Sequence, residues 1–398
     1  MKNNEYNHFE SKAVRQQVER SQFREHSVPL YLTSSFVFDN AEQARALFND
    51  EDDGNIYTRF SNPNNTEFVE KMCLLEGTED GYATASGMSA IFSSIAALLK
   101  SGDHILSSRA LFGSTHQLFT EIFPKWGIET SYGDIDKPEA WEGLITKQTK
   151  LIFIETPSNP GLDIIDLEWV GNLAKKHGLI LIVDNCFATP YLQQPMKYGT
   201  HLVIHSATKY IDGQGRTIGG IVLGDKDLMD KIRFFCRHTG PSLSPFNSWV
   251  LSKSLETLSV RMEKHCDNAL RIAEYLDYHP ELESVRYPFL PSHPQFELAR
   301  KQMTHGGGIL TFVVKGGLER AMSFLDCLKW LSMSANLGDT RTIVTHPTTT
   351  THSKLTEAER LAAGIKPGMV RISVGLENVN DILEDLEEGL RASKMVEA

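Results

Sequence analysis

Lys209, in the string HSATKY, and Asp184, near the end of LILIVDN, are two residues whose types and spacing could together do chemistry. Each alone has an ordinary reading, as a solvated surface lysine and as a helix cap after a strand. Their separation is that of one strand–helix–strand unit, which puts them at the ends of neighbouring strands. A lysine that attaches a cofactor as a Schiff base, beside a carboxylate that keeps a pyridine nitrogen protonated, is the pairing that pyridoxal 5'-phosphate (PLP) needs. The phosphate needs donors, and ATASGMSAIFSSIAALLK supplies a helix N-terminus opened by Ser86, Gly87 and Met88, with Gly87 allowing close backbone approach. Ser206 and Thr208, beside the lysine, add hydroxyls to the same phosphate. Ser86 by itself would pass for an N-cap; the coincidence of lysine, aspartate and helix N-terminus carries the reading.

Other strings fail on their context. In GQGRTI (213–218) Ile218 stands where a dinucleotide motif has its third glycine, and a strand follows rather than a helix, so a nicotinamide site is disfavoured. The run Gly306-Gly307-Gly308 also precedes a strand, ILTFVV, and reads as backbone flexibility rather than a phosphate loop. His346 and His352 are separated by a proline-containing gap that does not put them on one helical face, so no metal site is expected. The five cysteines are scattered and contain no C-x-x-C, which argues against a disulfide framework or zinc knuckle and for a reducing, cytoplasmic setting.

The elements that must position these residues follow from pattern and composition. With 398 residues, 41% of them hydrophobic and 23% charged, the chain reads as a soluble globular protein of two or three domains. The net charge of −11 repels phosphate backbones and anionic lipid, so nucleic acid and membrane partners are not expected. The N-terminal stretch 1–26 is polar and lacks the apolar run of a signal peptide, and no stretch elsewhere is long and apolar enough to span a bilayer. Residues 1–62 read as an irregular arm with one short helix at DNAEQARALFND, of the kind that contacts a neighbouring subunit. From 63 to 255 the apolar runs HILSS, KLIFIE, LILIVDN, HLVIHS and GGIVLG alternate with helical stretches, the grammar of a mostly parallel sheet. Strand ends there are polar: Glu155 leads into ETPSNP, Asp184 ends its strand, and Ser206 opens SATKY. Ligands of such sheets lie beyond the carboxyl ends of the strands. A long amphipathic helix over 254–276 leads into a smaller C-terminal α+β domain, 256–398, with strands GGGILTFVV and MVRISVG and a final helix NDILEDLEEGLRAS.

The strings YTRFSNP, ATASGMSAI, ETPSNP, VDNCFATP, HSATKYIDGQGR, GPSLSPFNSW, LGDTRTIVTHPTTTTH and RISVGLEN occur in this order over nearly the whole chain. Together they resemble the Cys/Met metabolism family of PLP enzymes, nearest the branch that joins O-succinyl-L-homoserine and sulfide. The resemblance implies an aspartate-aminotransferase-like α/β fold (PLP fold type I), with Lys209 as the Schiff-base lysine and acid/base and Asp184 paired with the pyridinium. It implies that Ser86, Gly87, Met88, Ser206 and Thr208 hold the phosphate, joined by Tyr57 and Arg59 from a neighbouring subunit, and hence a homotetramer built of dimers that share active sites. Asn159 would contact the cofactor's 3' oxygen and the substrate, Arg371 would grip the substrate α-carboxylate as a bidentate fork, and Arg341 and Thr342 would also line the substrate site.

Three departures from the family pattern bear on the reaction. Phe112, in FGST, stands where many members place a tyrosine over the pyridine ring. Stacking survives and the phenol does not. A thiolate leaving group, with a conjugate pKa about 8.5, benefits from a nearby acid, whereas a carboxylate at about 4 departs unprotonated. Arg341 stands where members that handle cystathionine or cysteine commonly have a glutamate suited to a distal ammonium; an arginine favours a distal carboxylate, unless Asp339 neutralises it. Ser114 replaces a cysteine that resembles a hallmark of methionine γ-lyases. The implied reaction is γ-replacement on O-succinyl-L-homoserine by sulfide, giving L-homocysteine and succinate in methionine biosynthesis. The acetyl ester as substrate, or cysteine as acceptor, is the alternative, and a non-catalytic PLP-fold binding protein is the alternative of another class.

Overall fold

The computed structural model of the chain describes residues 6–396; residues 1–5 of the polar N-terminal stretch lie outside the described residues. Seven strands, β1 (Asp80–Thr84), β2 (His104–Ser108), β3 (Glu129–Gly133), β4 (Thr149–Glu155), β5 (Ile180–Asp184), β6 (Leu202–Ser206) and β7 (Gly220–Gly224), form one sheet in the order β1-β7-β6-β5-β4-β2-β3. From β3 through β6 the neighbours are parallel, and β7 runs antiparallel to both β6 and β1. The near-continuous apolar runs reflect burial on both faces. Phe153, Ile182 and Ile204 pack with Ile91 and Ile95 of the helix Gly87–Leu98, while Ile152, Ile154, Leu181 and Val183 pack with Val170 and Ala174 of the helix Leu167–His177. That second helix has clear punctuation: Asp166 accepts the Trp169 N–H at its start, and Gly178 ends it with φ 62°.

A second, smaller sheet comprises β8 (Leu282–Arg286), β9 (Ile309–Val314), β10 (Ser332–Met333), β11 (Ile343–Thr345) and β12 (Met369–Ser373), in the order β10-β11-β12-β9-β8. Its apolar face, including Leu310, Phe312, Val370 and Ile372, is covered by the helices Gly317–Cys327 and Val379–Val396. The helix Leu258–Leu276 bridges the two cores: Leu258, Met262 and Cys266 sit with the first, Ala269, Ile272 and Leu276 with the second.

Three expectations need correction. The helix expected over 254–276 is interrupted: the helix Pro245–Leu255 ends, and Leu258–Leu276 begins after Glu256 and Thr257. The cause is local, because Arg261 Nη2 donates to Ser254 O at 2.9 Å, and that carbonyl also accepts the Thr257 N–H instead of continuing the α-helical ladder. The arm carries a second short helix, Phe9–Arg15, whose Ala13 is buried and whose Phe9 packs edge-on against Tyr191. The glycine run 306–308 serves close packing as well as backbone freedom: a Cβ on Gly306 would lie 2.5 Å from Tyr287 Cζ and one on Gly308 2.5 Å from the Tyr210 hydroxyl, while Gly307 between them takes φ 89°. Among the described residues no helix is long and apolar enough to cross a membrane.

Candidate active site

The carboxyl ends of β4, β5 and β6 bring Glu155, Asp184 and Ser206 together, with Glu155 and Asp184 in direct register. Asp184 is buried and accepts the Cys186 N–H at 3.0 Å. Burial raises its pKa to about 6, against the pull of that N–H and of nearby His205. Lys209 lies in the turn after β6, its N–H on Ser206 O at 3.2 Å and its Nζ on Asn336 Oδ1 at 2.7 Å. Burial lowers the lysine's pKa, and the Arg371 charge adds to the effect, so its amine is closer to the neutral, nucleophilic form than an exposed lysine would be. Asp184 ends β5 and Lys209 lies in the turn just past β6, the parallel neighbour of β5, although the two strands are joined by the single-turn helices Thr189–Leu192 and Pro195–Tyr198 instead of a full crossover helix.

The helix Gly87–Leu98 opens against the same strand ends. Its N-cap Ser86 accepts the Ser89 N–H at 3.1 Å, so that hydroxyl serves as a cap, while the N–H groups of Gly87 and Met88 belong to the first turn, which has no intrahelical acceptors. A Cβ on Gly87 would lie 2.7 Å from Ser206 Cβ. Only glycine lets the helix end come this close to β6. Thr208 Oγ1 donates to Gly219 O at 3.2 Å and accepts the Gly219 N–H at 3.1 Å, which ties the lysine turn to the start of β7. A helix N-terminus closed down on a serine, a lysine of lowered pKa and a buried carboxylate fit the phosphate, the aldehyde and the ring nitrogen of PLP respectively.

The smaller sheet contributes Arg371, in the middle of β12, at 1% exposure. Its Nη1 donates to Asn159 Oδ1 at 3.0 Å and its Nη2 to Asn336 O at 3.2 Å, while Nε is buried without a partner. Burial lowers its pKa to about 10 without discharging it at neutral pH. Lys209, Asn159 and Arg371 therefore meet around Asn336, a residue that sequence reasoning missed because it lies in a loop with no periodic pattern. Phe112 is fixed by its backbone N–H, which donates to Glu155 Oε2 at 2.7 Å.

Arg341 is held by Asp339, through Nε to Oδ1 and Nη2 to Oδ2, both at 2.8 Å, and by Gln214 O at 3.1 Å. The guanidinium is 64% exposed and the aspartate 4%. Thr342 turns instead to Glu377, which accepts its N–H at 2.6 Å and its hydroxyl at 2.8 Å. Tyr57 and Arg59 are not brought to Lys209 within the chain: Arg59 lies over the rings of Tyr57 and Phe60, donates to Arg237 O, and Tyr57 is 41% exposed.

Beneath the site, on the other face of the strand ends, runs a buried polar network that sequence reasoning also missed. Glu76 Oε1 meets His205 Nε2 at 2.6 Å and accepts from Asn185 Nδ2 at 2.9 Å. Gln193 Nε2 donates to Asn185 Oδ1 at 3.0 Å and to Thr156 O at 2.8 Å, and Gln302 donates to Gln193 at 3.0 Å. Thr156, Asn185 and His205 are the sequence neighbours of Glu155, Asp184 and Ser206, and strand alternation sends each pair to opposite faces. Polar doublets at three consecutive strand ends were the available signal.

The chain belongs to the Cys/Met metabolism PLP-dependent enzyme family, which it matches over residues 10–391. It is 47% identical over 384 residues to an O-succinylhomoserine sulfhydrylase of Pseudomonas aeruginosa, covering 96% of this chain and 95% of that one. It is 44% identical to an L-methionine gamma-lyase of Porphyromonas gingivalis over 367 residues, 92% of each chain. Among solved structures, a putative O-acetylhomoserine (thiol)-lyase of Campylobacter jejuni, carrying a pyridoxyl-lysine phosphate, superposes with TM-score 0.93 at 36% identity, covering 96% of this chain and 99% of that one. The protein is thus a PLP-dependent enzyme of PLP fold type I that carries out carbon–sulfur chemistry.

Proposed function

We propose that the enzyme catalyses γ-replacement on O-succinyl-L-homoserine by sulfide, giving L-homocysteine and succinate, as a transferase of methionine biosynthesis in the cytoplasm. The observation that carries this reading is Phe112: held beside the Glu155–Asp184 pair by its backbone N–H, it offers a ring face but no acid for a departing thiolate. The 47% identity to a relative named for this activity supports it. Bound PLP supplies the electron sink for charge that develops at the substrate's Cα and Cβ.

Lys209 holds the cofactor and then takes and returns protons at Cα and Cβ; its 2.7 Å bond to Asn336 keeps Nζ at the junction of Asn159 and Arg371. Asp184 keeps the ring nitrogen protonated, and Gly87, Met88 and Ser206 take the phosphate, with Ser86 and Thr208 fixing the turns that present them. Arg371 grips the α-carboxylate with Asn159 behind it, and its unpartnered Nε leaves a donor to offer. Succinate leaves Cγ without needing a proton, and hydrosulfide takes its place. Tyr57 and Arg59 complete the phosphate site of a second subunit, in a homotetramer of shared-site dimers. The chain divides into an arm (1–62), a cofactor domain (63–255) and a small domain (256–398).

A second reading, with O-acetyl-L-homoserine as substrate, has one observation in its favour: Asp339 neutralises Arg341 and so weakens its pull on a distal succinyl carboxylate. Arg341 and Thr342, lining the distal end, accordingly weigh less than Phe112 in the assignment. Homocysteine formation by the PLP-loaded enzyme from succinyl and acetyl esters, each with sulfide or cysteine, decides between them. Preference for the succinyl ester with sulfide is the expected result; cystathionine from cysteine would refute the choice of acceptor.

A further inference from the structure

Glu155 touches more of the proposed site than any role given to it so far accounts for. It ends β4 in register with Asp184 on β5, and strands in register present their side chains on one face. Its carboxyl is 4% exposed. Oε2 accepts the Phe112 N–H at 2.7 Å, and the backbone N–H of Asn159 also favours the ionised carboxyl. Two loops and a strand end converge on this one side chain: the loop after β2 that bears Phe112, the loop after β4 that bears Asn159, and the end of β5 with Asp184.

Two carboxyls buried side by side do not both ionise, because desolvation and mutual repulsion act together. Burial and the Asp184 charge push Glu155 well above the ordinary carboxyl range, with the Phe112 and Asn159 amides and the Arg371 charge opposing. Asp184 is raised by burial as well. A single charge shared by the pair is drawn to the carboxyl that faces the protonated ring nitrogen, which is Asp184 in the assignment above, and the proton is left to Glu155.

We propose that Glu155 is a positioning residue that, as a neutral acid, pins Phe112 and Asn159 at the cofactor and leaves the anionic charge on Asp184. The inference rests on the assignment of those three residues to the cofactor made above. The test is PLP titration of the apo-protein, followed by visible absorption and by the circular dichroism that the site induces in the bound cofactor. Glu155→Gln keeps a neutral acceptor for the backbone amides, and is expected to bind PLP within about threefold of wild type with an unchanged pH titration of the visible band. Glu155→Ala is expected to bind about tenfold or more weakly, with diminished induced dichroism. Glu155→Leu, which fills the volume without accepting a hydrogen bond, substitutes for the alanine variant if that one does not fold.

A glutamine variant as impaired as alanine or leucine would overturn the proposal, since it would mean that a charge is required. So would an alanine or leucine variant indistinguishable from wild type. Asp184→Asn, titrated alongside, separates the two levels: wild-type PLP affinity in that variant would sink the underlying assignment, whatever Glu155 does.

Discussion

At Phe112 one oxygen atom separates two kinds of chemistry. The backbone N–H that anchors it to Glu155 does not depend on the side chain, so Phe112→Tyr should place a phenol at the same spot without moving the loop. A phenol can protonate a departing thiolate, a contribution of about 10²-fold where general acid catalysis operates, but it does nothing for a carboxylate that leaves as an anion. Phe112→Tyr is therefore expected to raise 2-oxobutyrate release from L-methionine at least about tenfold while changing homocysteine formation from the succinyl ester by less than about threefold. Parallel assays of the two products check it; equal changes in both would show that the ring position does not govern the leaving group. Lys209 and Asp184 were legible in the sequence because both chemistry and spacing constrain them. Asn336 was not, because a loop asparagine acquires meaning only when Lys209 and Arg371 arrive from distant parts of the chain.

The elements set the distances that these residues need, and the tightest is the approach of the helix Gly87–Leu98 to β6. Gly87→Ala puts a Cβ 2.7 Å from Ser206 Cβ and 2.9 Å from its Cα, so either the helix start or the strand end must shift. With the first-turn N–H groups as the proposed phosphate donors, that shift should weaken PLP binding by about tenfold or more, while the buried body of the helix, including Ile91 and Ile95, keeps the fold intact. Equilibrium dialysis of PLP, with far-ultraviolet dichroism as the control for folding, measures it. The same elements show how far the sequence could be read. β4, β5 and β6 are buried on both faces and announce themselves as apolar runs, whereas β1 (DGYAT) and β3 (ETSYG), at the two edges of the sheet, carry polar residues and passed unnoticed. The break at Glu256 and Thr257 was hidden for a different reason: the Arg261 guanidinium that captures Ser254 O is a side-chain contact, and the amphipathic pattern runs straight through it.

On the scale of the whole molecule, buried charge sets how stability depends on pH. His265, His293 and His352 are buried, and burial above all holds each at a pKa of about 4. In the unfolded chain they take up protons near pH 6.5, so stability is full above that pH and is lost as pH falls toward 4. Glu70, Glu155, Asp184 and Asp225, raised by burial, act with the opposite sign, but His104, His116 and His346 are lowered too, and six histidines outnumber the four carboxyls. His265→Gln retains a donor for Val374 O, which the histidine meets at 2.7 Å, and should flatten the slope of unfolding free energy between pH 4.5 and 6 by up to about 1.4 kcal/mol per pH unit, the value of one proton. Denaturant titrations across that range test it, and an unchanged slope would mean that His265 does not titrate as its burial demands.

Assembly is the harder question, because Tyr57 and Arg59 lie on the chain's own surface against Phe60 and Arg237, although the family resemblance gives them to a cofactor phosphate. Both statements hold together if that phosphate belongs to a second copy. Lys209→Ala and Arg59→Ala would then disable different halves of each site, and a mixed dimer would carry one site with both lesions and one with neither. Random reassembly makes half of the dimers mixed, so co-refolded variants should regain about a quarter of wild-type activity, although each variant alone is nearly inactive. If Arg59 instead serves its own chain, both sites of a mixed dimer stay defective and mixing restores nothing.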